Sequence, residues 1–127
     1  MIDLGTAEKL HNILIDKFGG SKGIRDKGSL LAALARPYAS FDQHDLYPSA
    51  TEKAAAVFES IIINHPFIDG NKRIAYLLLR LTMLESGYDI SATQDEKYDM
   101  TIAASKGDIR IEEIKSWISD KLINNTQ

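Results

Sequence analysis

The sequence predicts an all-α protein, a bundle of about six helices with little or no sheet. Apolar residues recur at helical spacing in several segments. Capping residues precede these segments, and glycine or proline follows them, as is typical of helix ends. The two most apolar segments flank a short polar stretch, residues 65–73. We therefore expect two central helices with a polar loop between them.

Composition narrows the class of protein. The length of 127 residues indicates one domain over residues 1–127, and 44% hydrophobic with 26% charged residues is ordinary for a globular protein. A net charge of −3 argues against nucleic-acid binding. Cysteine is absent, which excludes disulfides and thiolate metal sites. Without a leader or an apolar run near the roughly 20 residues that span a bilayer, we expect a cytoplasmic protein that does not contact membranes.

The first helix is predicted over residues 6–18, with Thr6 as its cap. Two glycines follow, and glycine tolerates the left-handed geometry of helix ends. After a connector, Asp26 is the expected cap of a short helix over residues 29–35, which Pro37 ends. Four apolar side chains of the first helix are at helical spacing and are expected to be buried: Leu10, Ile13, Leu14 and Phe18.

Residues 38–48 show no sustained period and are predicted to form a long loop that could hold a short hairpin. Loops of this length are often lids or binding edges. The alternative is a surface connection without function. His44 lies in this loop and is expected to be exposed to solvent.

The two central helices are the most apolar parts of the chain. Ser49 and Glu52 form a predicted capping box, which opens a helix that runs to about Asn64. Pro66 ends that helix at His65. The second central helix is predicted over residues 71–86, before Gly87. Both are apolar on most faces, as expected of buried helices.

Two further helices complete the expected bundle. Thr93 and Glu96 form a second predicted capping box, opening a helix to Lys106. A final amphipathic helix is expected over residues 112–123, with residues 124–127 as a frayed tail. Its predicted apolar stripe is Ile114, Trp117, Ile118 and Leu122. Elsewhere, His11 is expected to pack on its helix face, and Arg80 to pair with Glu52 or Glu59.

Residues 65–73 read His-Pro-Phe-Ile-Asp-Gly-Asn-Lys-Arg and have the composition of a phosphate-binding loop. Gly70 and Asn71 come where a helix begins, and a helix N-terminus offers amide donors to an anion. Asn71 can cap that helix or donate to an oxygen. Lys72 and Arg73 would oppose the helix dipole unless an anion lay beside them, and arginine grips phosphate with parallel donors.

The same stretch contains an acid and a base. Asp69 would be repelled by phosphate unless a cation lay between them, and Mg²⁺ takes carboxylate and phosphate oxygens together. His65 can accept a proton near neutral pH and so could activate a hydroxyl. Phe67 and Ile68 are expected to plug the loop into the core. Taken singly, these residues are better explained as a turn, helix caps and solvated charges. Taken together they favour a site, because cations in a first helical turn oppose the helix dipole unless an anion lies beside them.

This nine-residue stretch resembles the signature of the Fic/Doc superfamily, His-x-Phe-x-Asp/Glu-Gly-Asn-Gly/Lys-Arg. The resemblance extends upstream, where Gly23-Ile-Arg-Asp26 and the following Leu30, Leu34, Arg36 and Pro37 are similar to the N-terminal half of death-on-curing (Doc) toxins. It implies an all-helical Fic/Doc-type bundle with the active loop between two central helices.

The resemblance also implies a role for each residue of the loop. His65 would deprotonate a hydroxyl of a target protein, Asp69 would hold Mg²⁺, and Arg73 would bind phosphate of ATP. Gly70, Asn71 and Lys72 would shape the anion hole, and Phe67 would anchor the loop.

Two positions of the loop bear on the reaction. Fic proteins that transfer AMP have glycine where this chain has Lys72. Doc has lysine there, and it phosphorylates a threonine of elongation factor Tu and stops translation. Doc has alanine in place of Gly70, so the loop combines both patterns. We expect a Doc-like kinase. Protein adenylylation is the first alternative, and a helical module that binds nucleotide or a partner without catalysis is the second.

Restraint of such a toxin would come from another protein. Many Fic enzymes carry an inhibitory Ser/Thr-x-x-x-Glu-Gly/Asn helix, and this string does not occur in the sequence. The resemblance therefore implies a small antitoxin that acts in trans.

Overall fold

Six α-helices dominate the protein, a computed structural model of which describes residues 1–125. They are α1 (Leu4–Phe18), α2 (Lys27–Ala35), α3 (Ala50–Asn64), α4 (Asn71–Glu85), α5 (Gln94–Ser105) and α6 (Ile111–Lys121). A 3₁₀ turn, Arg36–Tyr38, follows α2. Two small antiparallel sheets pair β1 (Ser40–Phe41) with β2 (His44–Asp45) and β3 (Tyr88–Ile90) with β4 (Leu122–Asn124). The predicted all-α bundle is confirmed.

Helix α3 lies at the centre of the fold. It contacts α2, α4, α5 and α6, and every residue from 54 to 62 is buried. Helix α4 packs along it and buries Ile74, Leu78 and Leu79 completely. Full burial of such side chains stabilises the fold by about 1.5–3 kcal/mol each. The two central helices are therefore held firmly in the core.

Helix α1 begins earlier in the chain than the sequence predicted, and it buries a different face. Asp3 is its N-cap and accepts a hydrogen bond from the Thr6 amide at 2.7 Å, so the predicted Thr6 cap is wrong. The buried face consists of Ala7, His11 and Ile15. Of the predicted face, Leu10 and Leu14 are partly buried, whereas Ile13 and Phe18 are exposed. The helix is rotated because His11 contacts the polar loop.

Three of the predicted caps are present, with two differences in detail. Asp26 caps α2, which begins at Lys27 rather than at residue 29. Thr93 and Glu96 form a complete capping box. Ser49 caps α3, but the Glu52 carboxylate accepts from the Ser49 hydroxyl at 2.8 Å, so that reciprocal box is not formed. The chain also stays helical through Arg36–Tyr38, since proline is tolerated at a helix start.

The long loop holds the short hairpin that the sequence allowed. Phe41 and His44 face each other across its tip, and both Asp42 and Gln43 have positive φ. Two such residues are typical of tight hairpin turns. His44 is exposed, as predicted.

The second sheet was not predicted. Helix α6 ends at Lys121 rather than at residue 123, and Ile90 of β3 faces Leu122 of β4. The expected frayed tail is therefore wrong for Asn124, which lies in the sheet. Residues 126 and 127, the remainder of that predicted tail, lie outside the described residues. By pairing with β3, the chain beyond α6 makes main-chain hydrogen bonds to another segment of the fold. A continued helix would make no such contact.

Ion pairs also differ from expectation. Arg80 makes two parallel hydrogen bonds to Asp89, at 2.9 and 3.0 Å, and not to Glu52 or Glu59. These bonds lower the pKa of Asp89. Glu59 is buried, and it accepts from Arg36 at 2.9 Å and from Arg110 at 3.2 Å. The buried acid thereby ties α3 to the chain beyond α2 and to the start of α6.

The apolar stripe of α6 is confirmed in its centre. Ile114 and Ile118 are completely buried, whereas Trp117 and Leu122 are only partly buried at the edge of the core. Trp117 meets Tyr76 edge-on, with ring centroids 6.5 Å apart. Within residues 1–125, no helix is both long and apolar enough to cross a membrane.

Candidate functional site

His65 ends α3 in an unusual backbone conformation. It is the C-cap, with φ 48° and ψ 59° in the left-handed region, and its amide donates to the Ile61 carbonyl at 3.1 Å. Side chains other than glycine seldom adopt this conformation, and a following proline restricts the residue further. Its imidazole is exposed and lines a pocket. The turn that Pro66 predicted is thus present, and it directs a histidine to the surface.

The loop is held from outside by the connector between α1 and α2. Ile24 and Phe67 form an antiparallel bridge. The amides of Arg25 and Asp26 both donate to the Pro66 carbonyl, at 2.7 and 3.0 Å. These contacts are between main-chain atoms, so they fix the path of the loop without using its side chains.

Phe67 anchors the loop in the core, as predicted. It is 1% exposed, and its ring stacks on His11 with centroids 4.0 Å apart. The Nε2 atom of His11 lies 2.7 Å from the Asp69 carbonyl, and since a carbonyl only accepts, Nε2 donates. Ile68 is 57% exposed, so its predicted burial is wrong. His11 packs on its helix face as expected, but its support of the loop left no signal in the helical spacing.

Asp69 turns its carboxylate towards the connector. One oxygen accepts from the Gly70 amide at 2.8 Å and the other from the Ser21 amide at 3.1 Å. A side chain at position 20 would place its Cβ only 2.6 Å from the second oxygen, so Gly20 makes room for it. The residue is exposed, and each oxygen keeps a further lone pair for another ligand.

Gly70, rather than Asn71, is the N-cap of α4. Gly70 has φ 71°, and no side chain caps the helix within residues 1–125. The Asn71 side chain reaches back to Phe67, accepting from its amide at 2.9 Å and donating to its carbonyl at 3.0 Å. Of the two roles predicted for Asn71, capping is therefore wrong. Its amide closes the loop, and the first turn of α4 keeps its main-chain donors for a ligand.

Lys72 and Arg73 project from the first turn of α4. Both are exposed and line the same pocket as His65 and Asp69. The Arg73 guanidinium lies 4.4 Å from the centre of the Phe18 ring, a cation–π contact that positions it. The structure thus brings together all six predicted site residues, with Gly70 and Asn71 completing the wall.

The pocket has a volume of about 550 Å³, and its opposite wall comes from α5. That wall was missed by the sequence reasoning: Gln94, Lys97, Tyr98, Thr101 and Ile102. The mixture of polar and apolar side chains on α5 matches an ordinary amphipathic helix. Its place across from the loop depends on packing far along the chain, so the spacing gave no signal.

Tyr76 lies at the pocket between the two walls. Its hydroxyl is buried and has no hydrogen-bond partner within residues 1–125. Burial raises the pKa of Tyr76 to about 12. The phenol is therefore neutral at physiological pH.

The residues fit a magnesium site that a phosphate ligand completes. Asp69 is the one carboxylate on the pocket wall in the described part of the chain, where groups of three or more His, Asp or Glu that could hold a metal are absent. Mg²⁺ is commonly bound by one or two carboxylates together with substrate phosphates. Asp69 could thus hold Mg²⁺ when a nucleotide is present.

Comparisons with known proteins agree with the geometry. A sequence model of the Fic/DOC family matches residues 1–83. The chain is 39% identical over 84 residues to a protein named Toxin Doc from Mycolicibacterium smegmatis, covering 61% of this chain and 65% of that protein. It is 37% identical over 73 residues to protein adenylyltransferase fic-1 of Caenorhabditis elegans, covering 54% of this chain and 14% of that protein. The corresponding protein of Caenorhabditis briggsae is 36% identical over 73 residues. The chain thus spans under two thirds of each relative.

Proposed function

Because the chain belongs to the Fic/DOC family, we propose that it is an ATP-dependent transferase that moves the γ-phosphoryl group of ATP to a hydroxyl of a target protein. One observation carries this proposal: His65, Asp69, Lys72 and Arg73 line one pocket at the N-terminus of α4. Phosphoryl transfer depends on positioning and on neutralising charge, and these groups supply both.

His65 acts as the base. Its imidazole is exposed on the pocket wall, where a hydroxyl of another protein can reach it. As the hydroxyl oxygen bonds to the γ-phosphorus, its proton passes to His65. The bond from the γ-phosphorus to the bridging oxygen breaks, and ADP leaves. General base catalysis of this kind contributes typically 10²–10⁴-fold to the rate.

The other groups bind and orient the phosphates. Arg73, fixed against Phe18, offers parallel donors to phosphate oxygens. Lys72 and the free amides of the first turn of α4 neutralise further charge. Asp69 would hold Mg²⁺, which when bound neutralises charge between the phosphates. Each of these interactions is prepared before the ligand binds, because the loop is held at both ends.

The choice between phosphoryl and adenylyl transfer rests on Lys72. This side chain is exposed and lines the pocket, where it would fill space beside the phosphates of ATP. It would change which phosphorus faces the acceptor hydroxyl. Adenylylation is the second candidate function, because Gly70 matches the adenylylating pattern and the two nematode relatives are named adenylyltransferases.

Separately labelled ATP tests the reaction. The full chain is incubated with Mg²⁺, a cell extract and ATP labelled at either the α or the γ phosphate. Label on protein from the γ position alone supports the kinase. Label from the α position alone would refute it in favour of adenylylation. Absence of both, with ATP bound, would favour the module without catalysis.

Two variants test the assigned roles. His65→Ala is expected to lower transfer by at least about 100-fold, and to abolish growth arrest on expression. Growth arrest as complete as that of the parent chain would exclude catalysis through His65. Asp69→Asn is expected to lose Mg²⁺-dependent ATP binding. Asp120→Asn, an exposed acid on α6 outside the pocket, is the matched control and should leave both properties unchanged.

The relative named Toxin Doc supports a role as the toxin of a toxin–antitoxin pair. We propose that the target is a threonine of elongation factor Tu and that an antitoxin restrains the chain in trans. Purified elongation factor Tu with γ-labelled ATP tests the target, with phosphothreonine as the readout. An unlabelled factor beside labelled extract proteins would reject this target and leave the kinase reaction intact.

A further inference from the structure

Arg25 bridges the connector and the end of α3. Its guanidinium donates from Nε to the His65 carbonyl at 2.7 Å and from a terminal nitrogen to the Asn64 carbonyl at 2.5 Å. These carbonyls belong to the helix end, where main-chain acceptors lack partners within the helix. A positive charge there also matches the helix dipole. Arg25 thus caps α3 from a segment 39 and 40 residues away in sequence.

Arg25 contacts His65, the one residue of the loop other than glycine that has a positive φ. His65 is left-handed, has a side chain and precedes Pro66. Such conformations persist only where surrounding contacts determine them. The Arg25 guanidinium holds the Asn64 carbonyl before His65 and the carbonyl of His65 itself. The main-chain amide of Arg25 holds the Pro66 carbonyl after it, at 2.7 Å.

No hydrogen bond fixes the orientation of the His65 imidazole in the described residues. Within residues 1–125, no side chain hydrogen-bonds to its ring, so no acidic residue orients it. When no side chain holds the ring of a catalytic histidine, the conformation of its main chain must set the orientation of the imidazole. We propose that Arg25 is a positioning residue, which holds His65 in its left-handed conformation and thereby aims the imidazole into the pocket.

The inference rests on the proposed function for its catalytic meaning, but its first test does not require catalysis. The chain has three histidines, so ¹³C-histidine labelling gives three sets of Cα and Cε1 resonances, assigned with His65→Ala. In Arg25→Ala we expect the His65 resonances to shift and broaden while those of His44 stay in place. Lys22→Ala removes a cation from the same connector, one that pairs with Asp16 instead, and should leave all resonances unchanged.

Arg25→Lys keeps the charge but has one donor group in place of the forked guanidinium. Its His65 resonances should therefore lie between those of the parent chain and those of Arg25→Ala. This variant also decides the matter if Arg25→Ala does not fold. A role confined to stabilising α3 predicts a lower denaturation midpoint with unchanged His65 resonances in both variants. That result would overturn the proposal.

Kinetics give the second test. If the parent chain transfers phosphate, Arg25→Ala should lower kcat by about 100-fold, the order expected of a misplaced group, with KM for ATP unchanged. Shifted His65 resonances in a chain without transferase activity would retain the positioning role and reject the proposed function. An unchanged kcat in an active chain would reject the positioning role alone.

Discussion

Substitution of Gly70 by alanine tests how tightly the loop is built. Gly70 has φ 71°, and a Cβ there would lie 3.2 Å from Cδ1 of Ile15 and 3.5 Å from Nε2 of His11. A left-handed conformation costs a residue with a Cβ about 1–2 kcal/mol. The 3.2 Å contact is closer than normal, and Ile15 is buried and has little room to move. We expect a total loss of roughly 2–3 kcal/mol of unfolding free energy.

Gly87→Ala separates the two causes of that loss. Gly87 has φ 84°, similar to that of Gly70, but nothing lies within 4 Å of its would-be Cβ. This variant should therefore lose about 1–2 kcal/mol from backbone strain alone. For a chain of this length, 1 kcal/mol corresponds to roughly 4 °C in Tm. Urea denaturation of both variants, beside the parent chain, gives the difference that belongs to the loop.

A third variant isolates the contact itself. Ile15→Val removes the Cδ1 atom and should cost about 0.5–1.5 kcal/mol in the parent chain. Combined with Gly70→Ala, it should cost less than the sum of the single losses, because the crowding is relieved. Equal losses for Gly70→Ala and Gly87→Ala, with additive double variants, would refute the crowding. A loss below 0.5 kcal/mol in both glycine variants would refute the strain argument as well.

Three further predictions concern stability. Glu59→Gln leaves half-buried Arg36 without its anion and should cost about 2 kcal/mol in urea denaturation, and a loss near zero would contradict this. Burial raises the pKa of Tyr76 from 10.0 to about 12, so the native state keeps that proton and stability falls as pH rises between these values. Tyr76→Phe should reduce this slope, and an identical slope would reject the assignment. The hydrogen bond that Glu96 accepts from Lys121 lowers the pKa of Glu96 from 4.5 to about 2. The stability that this gives above pH 4.5 is lost as pH falls towards 2. Glu96→Gln should remove that loss, measured as Tm against pH.

The parts of the fold that the sequence predicted are those that local rules determine. Helices α3 and α4 are apolar on most faces, so burial and helical spacing lead to the same assignment. The caps at Asp26 and Thr93 depend on residues within one turn. Thr6 failed as a cap because Asp3, three residues before it, accepts from the Thr6 amide and so starts the helix earlier, which places Thr6 inside the first turn.

Contacts between distant residues explain what the sequence reasoning missed. Strand β4 exists only because β3 lies beside it, and the two are separated by helices α5 and α6. The pocket wall formed by α5 depends on the same packing. His11 and Arg25 support the loop from 40 or more residues away. The spacing of His11 does not distinguish it from an ordinary core residue, and Arg25 stood out only as part of the Gly23-Ile-Arg-Asp26 string, which gave it no role.

Within the loop, the side chains divide into those that build it and those left for chemistry. Phe67 is buried against His11, and the Asn71 side chain makes one hydrogen bond in each direction with the Phe67 main chain. A sequence match at these positions therefore reports the shape of the loop. The proposed reaction draws most directly on His65 and Lys72, which are exposed and, in the described part of the chain, have no hydrogen bond or ion pair to their side chains. Because shape and proposed chemistry reside in different residues, we expect Lys72 to be the position at which phosphoryl and adenylyl transfer separate.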